Sequence, residues 1–223
     1  MEIIEKALAD GRSTLSESES KQVLNQYNIP ITKEILATNA QELDQAVQEI
    51  GFPLVMKGCA ADLAHKTESG LVKIDIRDAQ EAREAFESMM SKMDSADKGV
   101  LVQEMVKGKR ELVVGLTRDP QFGPCVMFGL GGIFTEVLED IAFRVAPITK
   151  ADALDMMAEI KGKKILEAIR GMEAADKDML ADILVAVGKL GEENQAVSEV
   201  DINPLILTGG KPVAVDALVV LAN

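Results

Sequence analysis

The chain has 223 residues, 47% of them hydrophobic and 27% charged, the profile of a globular protein long enough for one large domain or two small lobes. A formal net charge of −13 excludes a general nucleic-acid binder, which needs a basic face, yet leaves room for a nucleotide site built from a few local cations and backbone N–H groups. Cys59 and Cys125 lie far apart, offer no zinc-ligand spacing and suit a reducing cytoplasm, and no apolar run reaches membrane-span length, so a cytoplasmic protein without membrane contact is expected.

Apolar residues Ile3, Ile4, Ala7 and Leu8 recur at helical spacing and predict a short amphipathic helix over 2–10, broken by Gly11. Ser16-x-x-Glu19 reads as a capping box opening a helix to Tyr27, which Asn28-Ile-Pro30 ends. A strand follows over Ile31–Ala37, then a second box, Thr38-x-x-Gln41, with a helix to Ile50. Leu54–Lys57 reads as a buried strand and Leu71–Ile76 as another. Asp78-x-x-Glu81 caps a helix to Met93, and Gly99–Val106 is a strand of apolar and β-branched residues. This alternation predicts a small α/β lobe.

Lys107-Gly-Lys-Arg110 is a turn and the expected lobe boundary, after which strands dominate: Glu111–Arg118, Cys125–Phe128, Ile133–Leu138 and Ile141–Val145. Thr149-x-x-Asp152 opens a helical stretch to Ile169, interrupted near Gly162, and Ala175–Leu190 is a further helix. Ser198–Leu207 and Pro212–Leu221 flank Thr208-Gly-Gly-Lys211, which is hairpin chemistry. The expected domains are an N-terminal helical extension over 1–16, a lobe over 17–106, and a lobe over 107–223 that ends in the hairpin.

Six groups of residues could carry chemistry. Lys57 ends an apolar strand, where an ammonium can place a point charge on a phosphate. The polar loop after it holds His65, the only histidine of the chain, which could be a surface residue, a general base or a phosphoryl acceptor. Gly129, Gly131 and Gly132 crowd a short run that lets backbone N–H groups approach an anion or simply makes a tight turn; it is neither a Walker loop nor a dinucleotide fingerprint. Arg144 could clamp a phosphate or carboxylate bidentately, or make a surface ion pair. On the final hairpin Asp201 and Asn203 share a strand face, and pairing across the turn can bring Asp216 close to Asn203. Two carboxylates and an amide oxygen make an open Mg²⁺ site, while solvent-facing alternation is the plainer explanation. Gln103 to Val106 ends a strand at the lobe boundary, and Glu104 and Glu111 suit adenine and ribose only once a nucleotide is assumed.

Together these residues resemble the ATP-grasp fold, and specifically the separate beta subunit of ADP-forming acyl-CoA (acetyl-CoA) synthetases. The resemblance rests on Ser18–Pro30, Phe52–Gly58, His65-Lys-Thr-Glu-Ser-Gly-Leu-Val-Lys73, Val102–Met105, Arg118–Pro124, Met127–Glu136, Phe143–Pro147, and Asp201-Ile-Asn-Pro204 with Asp216, in order along nearly the whole chain. It implies an α/β (α+β) fold of two lobes with ATP between them. Lys57 would hold phosphates, Gln103, Glu104, Met105 and Val106 would frame adenine, and Glu111 would face the ribose. Gly129, Gly131, Gly132, Glu136 and Arg144 would surround the transferred phosphoryl group, and Asn203 and Asp216, helped by Asp201, would hold Mg²⁺.

His65 matches the family's second phosphohistidine, and His65-Lys66-Thr67 stands where succinate-type relatives carry a glycine- and arginine-rich segment, so the acetate type is favoured. With no room for a CoA-binding domain, the chain is expected to be a free-standing subunit that needs a CoA-binding alpha subunit. The alternatives are another ATP-grasp carboxylate ligase, which needs no histidine, and a non-catalytic regulatory module of an acetyltransferase assembly, which could lose Asn203 or Asp216.

Overall fold

Side chains at the helix starts satisfy the amides that a first turn leaves unpaired. In the computed structural model, which describes residues 1–60, 70–132 and 140–222, Asp78 accepts the Glu81 N–H at 2.9 Å and opens a helix over Ala79–Lys92. Thr149 and Asp152 form a full reciprocal box before the helix Lys150–Glu159. The box expected at Thr38 moves by one residue, because Asn39 takes the Glu42 N–H at 3.0 Å while Glu42 reaches back to Thr38. The carboxylate of Glu19 is gripped by Arg12 through two 2.8 Å bonds.

In chain order the elements are α1 (Glu2–Ala9), α2 (Glu17–Gln26), β1 (Glu34–Ala37), α3 (Ala40–Ile50), β2 (Leu54–Cys59), β3 (Val72–Ile76), α4 (Ala79–Lys92), β4 (Gly99–Glu104), β5 (Arg110–Asp119), β6 (Gly123–Leu130), β7 (Ile141–Val145), α5 (Lys150–Glu159), a 3₁₀ turn (Lys163–Leu166), α6 (Lys177–Glu193), β8 (Val197–Thr208), β9 (Lys211–Ala214) and β10 (Leu218–Leu221). The strand expected over Ile133–Leu138 lies outside the described residues. No described helix is long and apolar enough to cross a membrane.

The chain divides into two bodies. The smaller comprises Ser16–Ser18 and Thr32–Val106. Its four-stranded antiparallel sheet runs β1-β4-β2-β3, and α3 and α4 cover one face through Leu43, Ala46, Phe86 and Met89 against Leu54, Met56, Val100 and Val102. Since residues alternate faces, Val55 and Lys57 of β2 point to the other face, beside their partners Gln103 and Leu101 of β4.

The larger body comprises Met1–Leu15, Glu19–Ile31 and Lys107–Asn223. Its sheet runs β10-β8-β5-β6-β7, with β9 also paired to β8. One face packs Leu112, Val114, Val126 and Phe128 against Met156, Leu184 and Val187. This division departs from the expected one in two places. Residues 1–16 are no detached extension, because Ile4, Ala7 and Leu15 are buried in this core. Most of α2 belongs here as well, because Val23 and Leu24 point into the same cluster.

The last hairpin also differs from expectation. Pro212–Leu221 reads as one apolar strand, yet it is two, β9 and β10, interrupted at Val215-Asp216-Ala217. Opposite the interruption lie Asn203 and Pro204. Pro204 has no N–H to give, and the β5–β8 ladder shifts by a residue between Leu112 and Val114 at the same point. The local irregularity therefore starts from a proline and leaves a gap in the sheet edge that holds Asp216.

Candidate nucleotide and metal site

Lys57 sits in β2, where every residue is buried, and it is itself only 5% exposed. An ammonium at that depth is costly unless paired. Its Nζ lies 2.7 Å from Oε1 of Glu17, whose side chain has no exposure. Glu17 is a residue that the sequence did not single out. Its only sequence signal is an acidic residue at the first position of a capped helix, which ordinarily needs no explanation beyond the helix dipole.

Gln103 is buried on the same sheet face as Lys57, two residues along β4 from the position paired with it. Met105 and Val106 are half-buried in the irregular stretch after β4. Glu104 is exposed, and its carboxylate turns back to take the Lys33 N–H at 2.7 Å, closing the β1–β4 edge. That bond gives the Glu104 side chain a structural task.

In the larger body the glycine run folds onto Glu111. Gly131 N–H donates to the Glu111 carbonyl at 2.8 Å, and a Cβ on Gly131 would lie 2.9 Å from that residue's backbone. Gly132 has φ +66°, and a Cβ there would stand 2.7 Å from Oε2 of Glu111. Gly131 is therefore required by close approach to backbone and Gly132 by its positive φ, and the exposed Glu111 carboxylate lies against Gly132. At Gly129 a Cβ would meet the Asp140 carbonyl at 2.8 Å. The neighbour of Glu111, Arg110, is 4% exposed and donates to the carbonyls of Ile165, Glu167 and Glu173, which anchors the start of β5; it too escaped the sequence reading, hidden in a basic turn that looks solvated.

Arg144, expected beside a phosphoryl group, is engaged by side-chain and backbone partners. Its guanidinium is held by both carboxylate oxygens of Glu159 on α5 and by its neighbour's carbonyl. That pairing raises the guanidinium pKa and lowers that of Glu159. The surface ion pair is the alternative that the sequence left open. His65 and Glu136 lie outside the described residues.

On the final hairpin, Leu205 pairs with Ala214 and Ile206 with Val213. Continuing that register by two positions sets Asn203 opposite Asp216, in the gap between β9 and β10. Asp201 is one strand repeat from Asn203 on the same face, with Ile202 between them pointing into the core. Burial, and after it the nearby charges of Glu199 and Asp216, together push the Asp201 carboxyl up to about 6. Carboxylates that repel each other beside an amide oxygen are the donors a hard divalent cation takes. Among the described residues no group of three or more His, Cys, Asp and Glu side chains could hold a metal by itself, so Asn203 is needed to complete such a set.

The raised pKa has a measurable consequence for the metal-free chain. Between about pH 4 and pH 6 the folded state holds a proton on Asp201 that the unfolded state has lost, so stability falls as pH rises through that window. The accumulated cost above pH 6 is up to about 3 kcal/mol. Asp201→Asn is therefore expected to match the wild type near pH 4 and exceed it at pH 7 in urea denaturation with chelator present. Parallel stability curves for the two proteins would contradict the assignment.

The ATP-grasp domain model matches residues 6–221. The chain is 47% identical over 225 residues to the beta subunit of acetate–CoA ligase (ADP-forming) I of Pyrococcus furiosus, covering 99% of this chain and 97% of that one. It also superposes on acetyl-coenzyme A synthetase 1 of Ca. Korarchaeum cryptofilum in complex with coenzyme A and Ca-AMPCP, with a TM-score of 0.93, 39% identity and 99% of both chains covered. A second structure of that enzyme, with coenzyme A and Mg-AMPPCP and its phosphohistidine segment pointing towards the nucleotide site, matches with a TM-score of 0.87, 39% identity and the same coverage. With its two antiparallel sheets and a likeness that runs from end to end, the chain belongs to the ATP-grasp family and, within it, to the beta subunits of ADP-forming acetate–CoA ligases.

Proposed function

We propose that this chain is the nucleotide-handling subunit of an ADP-forming acyl-CoA synthetase, moving a phosphoryl group between ATP or ADP and His65. The strongest support is the 47% identity to the P. furiosus beta subunit across both chains. In the direction of ATP formation, an oxygen of the ADP β-phosphate attacks the phosphorus of phosphorylated His65. The P–O bond forms as the P–N bond breaks, and with a proton carried on its other ring nitrogen the imidazole leaves as a neutral group ready for the next cycle.

Lys57 holds the phosphates, the backbone of Gln103, Glu104, Met105 and Val106 frames the purine, and Glu111 meets the ribose hydroxyls. Gly129, Gly131 and Gly132 and the Glu136 side chain surround the transferred group. Asp201, Asn203 and Asp216 supply an all-oxygen set for Mg²⁺, which when bound neutralises charge on the phosphates. The acyl phosphate and CoA belong to a CoA-binding partner subunit.

Reconstitution tests this reading. The chain is combined with the CoA-binding subunit from the same source, and ATP formation from acetyl-CoA, ADP and phosphate is measured. ATP formation that requires both chains supports it. Tight nucleotide binding with no turnover beside every candidate partner would favour a sensing module instead.

A further inference from the structure

We infer that Glu17 is the positioning residue for Lys57, holding the ammonium where it meets the nucleotide phosphates. The inference rests on the reading of Lys57 as the phosphate-holding cation. Its physical basis is the cost of the pair. Both side chains are withdrawn from water, 6% exposed for Lys57 and 0% for Glu17, and their charged atoms meet at 2.7 Å. Desolvating two ions costs several kcal/mol each, and a well-packed apolar pair of the same volume is commonly as stable or more so. A buried pair of this kind is thus poorly explained as a device for stability. It is well explained if the ammonium is needed and must be kept in one place.

The geometry suits that task. A lysine has a flexible four-carbon stem and no planar fork, so its head is not oriented by its own shape. Here the stem leaves a buried strand, which fixes its base. The head is fixed by a carboxylate at the first residue of α2, itself drawn to the positive end of the helix. An ammonium carries three donors, and the Glu17 bond directs one of them, which orients the remainder. The anchor lies 40 residues away in sequence, so it does not depend on the chain next to Lys57. Glu17 does not touch the nucleotide in this account. It acts through Lys57.

Three variants of the isolated chain decide the matter: Glu17→Gln, Lys57→Met, and the double variant Glu17→Met/Lys57→Met. Dissociation constants for Mg·ATP and for adenosine, which lacks phosphates, are measured by calorimetry well below each melting temperature. Glu17→Gln is expected to weaken Mg·ATP about tenfold or more and to leave adenosine unchanged, a split that loosened packing would not produce. The double variant is expected to melt at or above the wild type, while binding Mg·ATP no worse than Lys57→Met alone. Mg·ATP binding by Glu17→Gln within twofold of the wild type overturns the inference, and so does a further loss in the double variant, which would mean that Glu17 acts independently of Lys57. If Lys57→Met itself binds normally, the fault lies in the reading of Lys57. Should Glu17→Gln not fold, Glu17→Asp, which draws the carboxylate back by one methylene, is held to the same split between Mg·ATP and adenosine.

Discussion

Replacing His65 with alanine is expected to reduce ATP formation by the reconstituted enzyme on the order of 10⁴-fold or more, the scale of loss when a covalent group carrier is removed. Mg·ATP binding to the isolated chain should stay within about twofold, because the binding groups proposed here are Lys57, Glu111, Asn203 and Asp216. The contrast follows from chemistry. An imidazole can accept the phosphoryl group on one ring nitrogen while a hydrogen bond orients the other, and no second histidine exists in the chain to replace it. With labelled Mg·ATP the wild type should acquire phosphate that is acid-labile, alkali-stable and removed by ADP, and His65→Ala should acquire none. Labelled phosphate reaching the partner subunit at the normal rate through His65→Ala would show that His65 is a bystander.

Much of the local structure could be read from the chain because its determinants are local. Asp78 and Thr149 cap their helices as expected, since an acceptor three residues before a free N–H suffices. The Thr38 box moved by one because Asn39, a better acceptor, stood beside it. What escaped depends on the return of distant chain. No periodicity within Val213–Val220 says that the strand breaks at Asp216; the break lies opposite Asn203 and Pro204 on the preceding strand, and only the paired register reveals it. Glu17 and Arg110 escaped for the same reason, their partners being 40 and 55 to 63 residues away. Arg144 and Glu104 show the converse. Their residue types suit a nucleotide, and each is engaged by a neighbour, Glu159 and the Lys33 amide, that no motif predicts. The identity of the fold was legible because so many matching segments occur in order.

Asp216→Asn is expected to abolish the stabilisation of the chain by Mg·ATP without destabilising the fold. The two effects have different origins. Asparagine keeps an oxygen for the Ala217 N–H, which Asp216 Oδ1 accepts at 2.8 Å, so the gap between β9 and β10 retains its local bond. It also removes one of the charges that push Asp201 upward, so the metal-free variant should be at least as stable as the wild type at pH 7. What it loses is a negative oxygen donor for a hard cation, and with it the charge balance at the nucleotide phosphates. A ligand present at a hundredfold its dissociation constant stabilises a folded protein by about 2.7 kcal/mol, which for a chain of this length raises the melting temperature by roughly 5–10 °C. The wild type should show that shift with Mg·ATP and lose most of it when Mg²⁺ is chelated. Asp216→Asn should show little shift in either condition, and turnover of the reconstituted enzyme should fall on the order of 10³-fold. A variant that melts lower than the wild type without nucleotide, yet keeps the full Mg·ATP shift, would mean that Asp216 belongs to the packing of the hairpin and that the metal is held elsewhere.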